Sequence, residues 1–251
     1  MLTQLEQLLT FKPNKTDHGG LKSISHERLR FGSEFGLDLD GAWMPQDSSA
    51  AVLFIHGNRH NITRFEEHYR LFNSLGISCF TFDYPGYGRS KGAPSETALY
   101  SSARAAHSYM RTSLGIQPRN IAIYGCSLGG AVAVELASNI TAGCLITEST
   151  FTNSREIAKH LYPLLPIRHF LPTRFINDHL IANITIPKLM IHGDKDERVP
   201  VHMAHTLYEK AAHPKRLQII ANADHINCIA VGGPNLHNSV CDFILEHCGA
   251  R

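Results

Sequence analysis

Nowhere does the sequence run about eighteen apolar residues without a charge, so no membrane-spanning helix is expected. Its first residues, MLTQLEQLLTFKPNK, lack a basic start, and Gln4, Glu6 and Gln7 interrupt the apolar stretch, which argues against a signal peptide. Leu2, Leu5, Leu8 and Leu9 instead share one helical face, the pattern of a short amphipathic helix docked on the body of the protein. There is no run of five basic residues either. With 24 Lys and Arg against 22 Asp and Glu the formal charge is only +2, which disfavours a nucleic-acid partner. The six cysteines, at 79, 126, 144, 228, 241 and 248, include no C-x-x-C pair and accompany no export signal. They read as free thiols in a reducing compartment, so a cytoplasmic location is expected, with peripheral membrane contact as a further reading. Cys79 and Cys144 lie in apolar runs and are candidate core residues. Sixteen histidines are present, but neither an H-E-x-x-H pattern nor finger-type Cys/His spacing. His202 with His205, or His56 with His60, would supply two ligands at most, so no catalytic metal is expected.

What is present points to one large globular unit. Hydrophobic residues make up 43% of the 251 residues, enough for a substantial core and too many for a disordered chain. Nearly continuous apolar runs at 50–55, 77–82, 120–124, 143–146, 188–191 and 217–220 read as strands covered on both faces. Helical patterns at 63–74, 95–113, 128–138, 202–211 and about 236–248 separate them, and this alternation implies a parallel sheet with crossover helices. Glu27 to Phe31 and Leu37 to Met44 look like an antiparallel hairpin at the sheet edge, which brings the expected strand count to eight. The expectation is a single α/β domain over 1–251. Only residues 152–183 break the alternation, because Pro163, Pro166 and Pro172 forbid a long helix there. Short helices forming a lid would account for that segment.

The strongest chemical signal is Gly125-Cys126-Ser127-Leu128-Gly129, a G-x-S-x-G pattern set between an apolar strand and an Ala/Val-rich helix. A sharp strand-to-helix turn needs small neighbours and would push the Ser127 hydroxyl out at the carboxyl end of the sheet, beside a helix N-terminus. A serine hydroxyl needs a base to become nucleophilic, and the base needs an acid to orient it. Asp194, Asp196 and Glu197 all follow the strand at 188–191. His225 alone among the histidines follows a late strand immediately, in LQIIANADHIN. An oxyanion would need two amides: that of Leu128, and one from the loop His56-Gly57-Asn58, with Asn58 the candidate. His56 and Asn61 also have ordinary readings, as a buried imidazole and a helix N-cap.

Taken together, HGN at 56–58, DYPGYGRSKGAPSE from Asp83 to Glu96, GCSLGG at 125–130, HGDKDERVP at 192–200 and ADH at 223–225 resemble the serine hydrolases of the α/β-hydrolase superfamily. The similarity extends from residue 27 to the end of the chain. It implies an α/β-hydrolase fold with a mostly parallel eight-stranded sheet. Within the superfamily's G-x-x-D-x-x-V-P pattern it implies Asp196, rather than Asp194, as the acid partner. The stretch from Asp83 to Ser90 resembles a structural turn. Two departures stand out: Asp224 where many relatives carry glycine, and bulky Arg59 and His60 after the HGN loop.

The abhydrolase-domain enzymes that cleave lipid esters and protein palmitoyl thioesters are the most similar branch, although the cysteine-rich N-terminus of some depalmitoylases is missing. The expected activity is hydrolysis of a carboxylic ester or thioester through Ser127, His225 and Asp196, on a small-molecule or acyl-protein substrate, with no cofactor. A peptidase or acyltransferase using the same residues, and a catalytically silent binding protein, are the alternatives. Arg155, Lys159, Arg168 and Arg174 in the lid segment suit either an anionic lipid surface or simple solvation.

Overall fold

The computed structural model describes residues 10–32, 36–163 and 173–249. Eight strands form one sheet in the order β1-β2-β4-β3-β5-β6-β7-β8. They are β1 (Glu27–Gly32), β2 (Asp38–Met44), β3 (Ala51–Ile55), β4 (Ser78–Phe82), β5 (Ile121–Cys126), β6 (Cys144–Glu148), β7 (Lys188–Gly193) and β8 (Lys215–Ile220). β1 and β2 pair antiparallel, and β2 joins β4 antiparallel. Every pairing from β4 through β8 is parallel. The mixed edge and parallel body match the sequence expectation. A parallel strand must be reached by a crossover, and the intervening helices supply it.

Alternating side chains give the sheet two cores. In β5, Ile121 and Ile123 enter one apolar cluster while Ala122 and Tyr124 enter the other. The first cluster is covered by α2 (Glu96–Thr112), α3 (Leu128–Asn139) and α6 (His202–Lys210), through residues such as Leu99, Val132 and Met203. The second is covered by α1 (Glu66–Ser74) and α7 (Cys228–Cys248), through Tyr69, Phe72, Val240 and Phe243. Burial on both sides explains why β3 to β7 read as uninterrupted apolar runs. Cys79 and Cys144 are buried in these strands, as expected.

Two helices differ from the sequence reading. The pattern at 63–74 is a single 3-10 turn, Ile62–Arg64, followed by α1, with Phe65 between them at φ −97° and ψ 40°. Asn61 caps the turn, its side-chain oxygen accepting from the Thr63 amide at 3.0 Å. The last helix begins at Cys228 rather than near Leu236. It is two helical stretches meeting at a kink, where Gly233 takes φ 51° and ψ −149° just before Pro234. Gly-Gly-Pro reads as a stop in sequence, and Gly233 does leave helical geometry, so the stretch expected from about Leu236 is the one that follows the kink.

Within the proline-rich insertion, α4 (Ser154–Leu161) is capped by Asn153, and α5 (Asn177–Leu180) runs into a 3-10 turn, Ile181–Asn183. Leu164, Leu165, Pro166, Arg168, Phe170, Leu171 and Pro172 lie outside the described residues, as do Leu2, Leu5, Leu8 and Leu9. Among the described residues no helix is long and apolar enough to cross a membrane.

Candidate active site

Ser127 sits between the end of β5 and the first residue of α3, at φ 54° and ψ −116°. A positive φ on a residue with a Cβ is strained, and the surroundings must hold it. They do so from both sides: the Ser127 amide donates to the Glu148 carbonyl at 2.8 Å, and its carbonyl accepts from the Gly130 amide at 3.0 Å. The flanking glycines are required by contact. A Cβ on Gly125 would collide with the Gly129 carbonyl oxygen, and one on Gly129 would collide with the Ile55 carbonyl oxygen. Helix α3 therefore starts almost against the backbone of β3. Leu128, as the first helical residue, has no intrahelical acceptor for its amide, which stays available at the positive end of the helix dipole.

The loop after β7 delivers Asp196 and the loop after β8 delivers His225. Asp196 Oδ2 accepts from His225 Nδ1 at 2.8 Å, and His225 Nε2 accepts from the Ser127 hydroxyl at 3.1 Å. An ionised carboxylate can only accept, which places the ring proton on Nδ1 and leaves Nε2 free to take the serine proton. Asp196 is buried, and its Oδ1 accepts from the amides of Arg198 at 2.9 Å and Val199 at 2.8 Å. Burial opposes its ionisation, but His192, His225 and the Val199 amide outweigh that and hold the carboxyl well below the usual carboxylate range.

Asp194 is exposed and instead accepts from the Asn222 amide at 2.7 Å, so the two neighbouring acids are separated by their surroundings. Asp224 is engaged in its own turn. Its Oδ1 accepts from the Ile226 amide, and its amide donates to Asn227 Oδ1, both at 2.8 Å.

The sequence reading passed over His192, whose Nε2 lies 2.7 Å from the Val199 carbonyl and 3.3 Å from Asp196 Oδ2. The HGD at the end of an apolar strand was the available signal.

The HGN loop runs alongside the serine: a Cβ on Gly57 would lie 3.6 Å from that of Ser127. Asn58 is fixed through its side chain, with Oδ1 accepting from the Tyr87 hydroxyl at 2.7 Å and Nδ2 donating to the Thr10 carbonyl at 2.7 Å. Asn58 is among the residues that line the cavity beside Ser127. His56 is fully buried, and its Nδ1 donates to the Gly57 carbonyl at 2.7 Å. Burial pushes its pKa down to about 4, which makes it a neutral structural imidazole.

Asp83 is likewise structural. It accepts from the Ile62 amide at 2.9 Å, and burial pushes its pKa up to about 7. Gly88 is needed because a Cβ there would collide with the Asp83 carboxylate.

Ser127 and His225 open into a cavity of about 400 Å³. Its apolar wall includes Leu128, Phe151, Ile157, Leu161 and Phe175, partly from the insertion. Arg59 and His60, the bulky residues after HGN, also line it. Of the insertion's basic residues, Arg174 is paired with Glu96 at 3.1 Å, and Arg155 and Lys159 are exposed. The histidine pairs considered from the sequence gather no third ligand among the described residues. The one such cluster is His68, Cys126 and Glu148.

The profile of the Alpha/beta hydrolase family matches residues 52–180. An uncharacterized protein of Mycobacterium tuberculosis is 34% identical over 214 residues, covering 84% of this chain and 76% of its own. The lysophosphatidylserine lipase ABHD12 of Danio rerio is 34% identical over 195 residues, which is 68% of this chain but only 50% of that longer protein. In fold, the Pyrococcus furiosus esterase Pf2001 superposes with a TM-score of 0.80 at 18% identity, covering 96% of this chain and 98% of the esterase. The match to the family profile, the relatives and the strand order agree with the strand-turn-helix geometry at Ser127, and the chain belongs to the alpha/beta hydrolase family.

Proposed function

We propose that the protein is a serine hydrolase that cleaves a carboxylic ester or thioester with a lipid-like acyl chain. The observation that carries this reading is the hydrogen-bonded chain from Ser127 Oγ through His225 to Asp196, opening on an apolar cavity. In this reading His225 Nε2 takes the hydroxyl proton as Ser127 Oγ bonds to the substrate carbonyl carbon. The carbonyl oxygen becomes an oxyanion, held by the amides of Leu128 and Asn58. Collapse of the tetrahedral species breaks the bond to the leaving group, which receives the proton from His225. Water, deprotonated by the same imidazole, then releases the acid and restores Ser127. Asp196 stays ionised throughout and stabilises the imidazolium.

An apolar wall beside the nucleophile suits a hydrocarbon chain, and similarity to a lysophosphatidylserine lipase supports a lipid-like substrate. Serine at the nucleophile position argues against the superfamily's dehalogenase and epoxide hydrolase chemistry, which uses aspartate there. Each buried methylene contributes about 0.8 kcal/mol, so kcat/KM should rise up to about fourfold per carbon until the cavity is full. The test is a panel of p-nitrophenyl esters and acyl thioesters of graded chain length, with fluorophosphonate labelling of the wild type and Ser127→Ala. An optimum above eight carbons and loss of labelling in the variant are expected. A preference for two to four carbons would overturn the lipid reading, and labelling that survives in Ser127→Ala would overturn the nucleophile.

A further inference from the structure

Beneath the nucleophile lies a second group of reactive side chains that ester cleavage does not use. Glu148, at the end of β6, is buried, and its Oε2 receives three neighbours. The Tyr124 hydroxyl donates to it at 2.6 Å, His68 Nε2 lies 2.9 Å away and Cys126 Sγ 3.6 Å away. The third edge, from Cys126 Sγ to His68 Nε2, is also 3.6 Å. A tetrahedral zinc ion with bonds of about 2.0 Å to nitrogen and oxygen and about 2.3 Å to sulfur needs ligand separations of about 3.3 Å between N and O and about 3.5 Å to sulfur. Those present differ from these by a few tenths of an ångström. His68, Cys126 and Glu148 are also among the residues that line the catalytic cavity, and Cys126 directly precedes Ser127.

We propose that His68, Cys126 and Glu148 form a zinc(II) site in the wall of the catalytic cavity, and that zinc bound there inhibits the enzyme. The donor set suits this ion: a thiolate, an imidazole and a carboxylate select zinc over the hard cations calcium and magnesium. Charge also balances, because one carboxylate and one thiolate offset a divalent cation and leave no net charge in a buried place. The Tyr124 hydroxyl would remain on the carboxylate as an outer partner that orients it.

Without metal, burial pushes the Cys126 thiol up, so it is protonated. Burial also opposes ionisation of Glu148, but His68, Tyr124 and Cys126 outweigh it and keep the carboxyl low. A metal-bound cysteine is a thiolate, so zinc binding would release the Cys126 proton to solvent, and affinity should fall as pH falls. Bound zinc would stand where substrate approaches Ser127, so inhibition should be relieved by excess substrate and by a chelator.

The test uses the full chain. Cobalt(II), added as a stand-in, should give a thiolate-to-metal charge-transfer absorption that one equivalent of zinc abolishes and that Cys126→Ser lacks. His68→Gln should weaken zinc binding at least about 100-fold, on the scale by which losing even an outer partner costs up to about 100-fold. Zinc should inhibit hydrolysis of a short p-nitrophenyl ester by the wild type, and should not inhibit Cys126→Ser relative to the same variant without metal. X-ray absorption of the zinc-loaded wild type reads the site without any substitution, and one sulfur among the ligands is expected. A sulfur-free shell, a cobalt band that persists in Cys126→Ser, or equal inhibition of both proteins would overturn the proposal. Because the binding readouts need no turnover, they stand or fall separately from the esterase reading.

Discussion

At the scale of single residues, the backbone of Ser127 carries a cost that its side chain does not. Its φ of 54° is a conformation in which a Cβ is crowded, and backbone contacts from Glu148, Gly130 and Ala131 hold it there. Ser127→Ala keeps the Cβ and the strain, whereas Ser127→Gly removes both. Urea unfolding should therefore find the glycine variant more stable than the alanine variant by about 1 kcal/mol, although the proposed mechanism leaves neither with a nucleophile. Equal midpoints would mean that the turn is unstrained.

A second residue-scale prediction concerns His107 on α2. It is buried, with Nε2 unpartnered among the described residues, and burial pushes its pKa down to about 4. The folded protein keeps this ring neutral down to that pH, while the unfolded chain takes up a proton near 6.5. Between those values the unfolded state holds more protons, so stability is complete above about 6.5 and declines toward 4. The loss of urea midpoint from pH 7.5 to 5 should be smaller in His107→Leu than in the wild type. An unchanged difference would remove His107 as a source of acid sensitivity.

Elements come next in scale, and here the decisive contact is between α3 and the sheet. Because a Cβ on Gly129 would collide with the Ile55 carbonyl, Gly129→Ala must lift the start of α3 away from β3 and carry the Leu128 amide with it. The expected result is a loss of at least about 100-fold in kcat, the scale of removing one oxyanion donor, with the circular dichroism spectrum little changed. Wild-type turnover would show that the amide is not where the chemistry needs it.

This same element separates what sequence could reveal from what it could not. The turn at Ser127 was legible because its glycines, apolar strand and small-residue helix are contiguous in the chain. The strands were legible because burial on both faces writes them as apolar runs. The stretch of α7 before its kink, from Cys228, was not: Gly232, Gly233 and Pro234 carry breaker signals that the backbone obeys at Gly233, so the sequence showed only the stretch that follows them. His68 and Glu148 were not either: they meet across 80 residues, and neither lies in a pattern that singles it out. Asp196 lay between these cases: one of three acids in its loop, it was singled out by the family resemblance, and in space burial, the amides of Arg198 and Val199 and the bond from His225 separate it from Asp194.

Across the whole molecule, the three side chains proposed to react hang from the ends of different strands: Ser127 after β5, Asp196 after β7 and His225 after β8. β6 stands between the first two, and β8 is the outer strand of the sheet, less buried than its neighbour β7. Outer strands have fewer partners and open at lower free energy than the centre. Ester hydrolysis should consequently vanish at a urea concentration below the one that unfolds the helices, and coincident curves would show that β8 opens only with the rest. If the two curves separate, the catalytic rate becomes a strain gauge for one border of the sheet. Ligands, crowding or substitutions that tighten that border would then raise the enzyme's tolerance of denaturant without touching its chemistry.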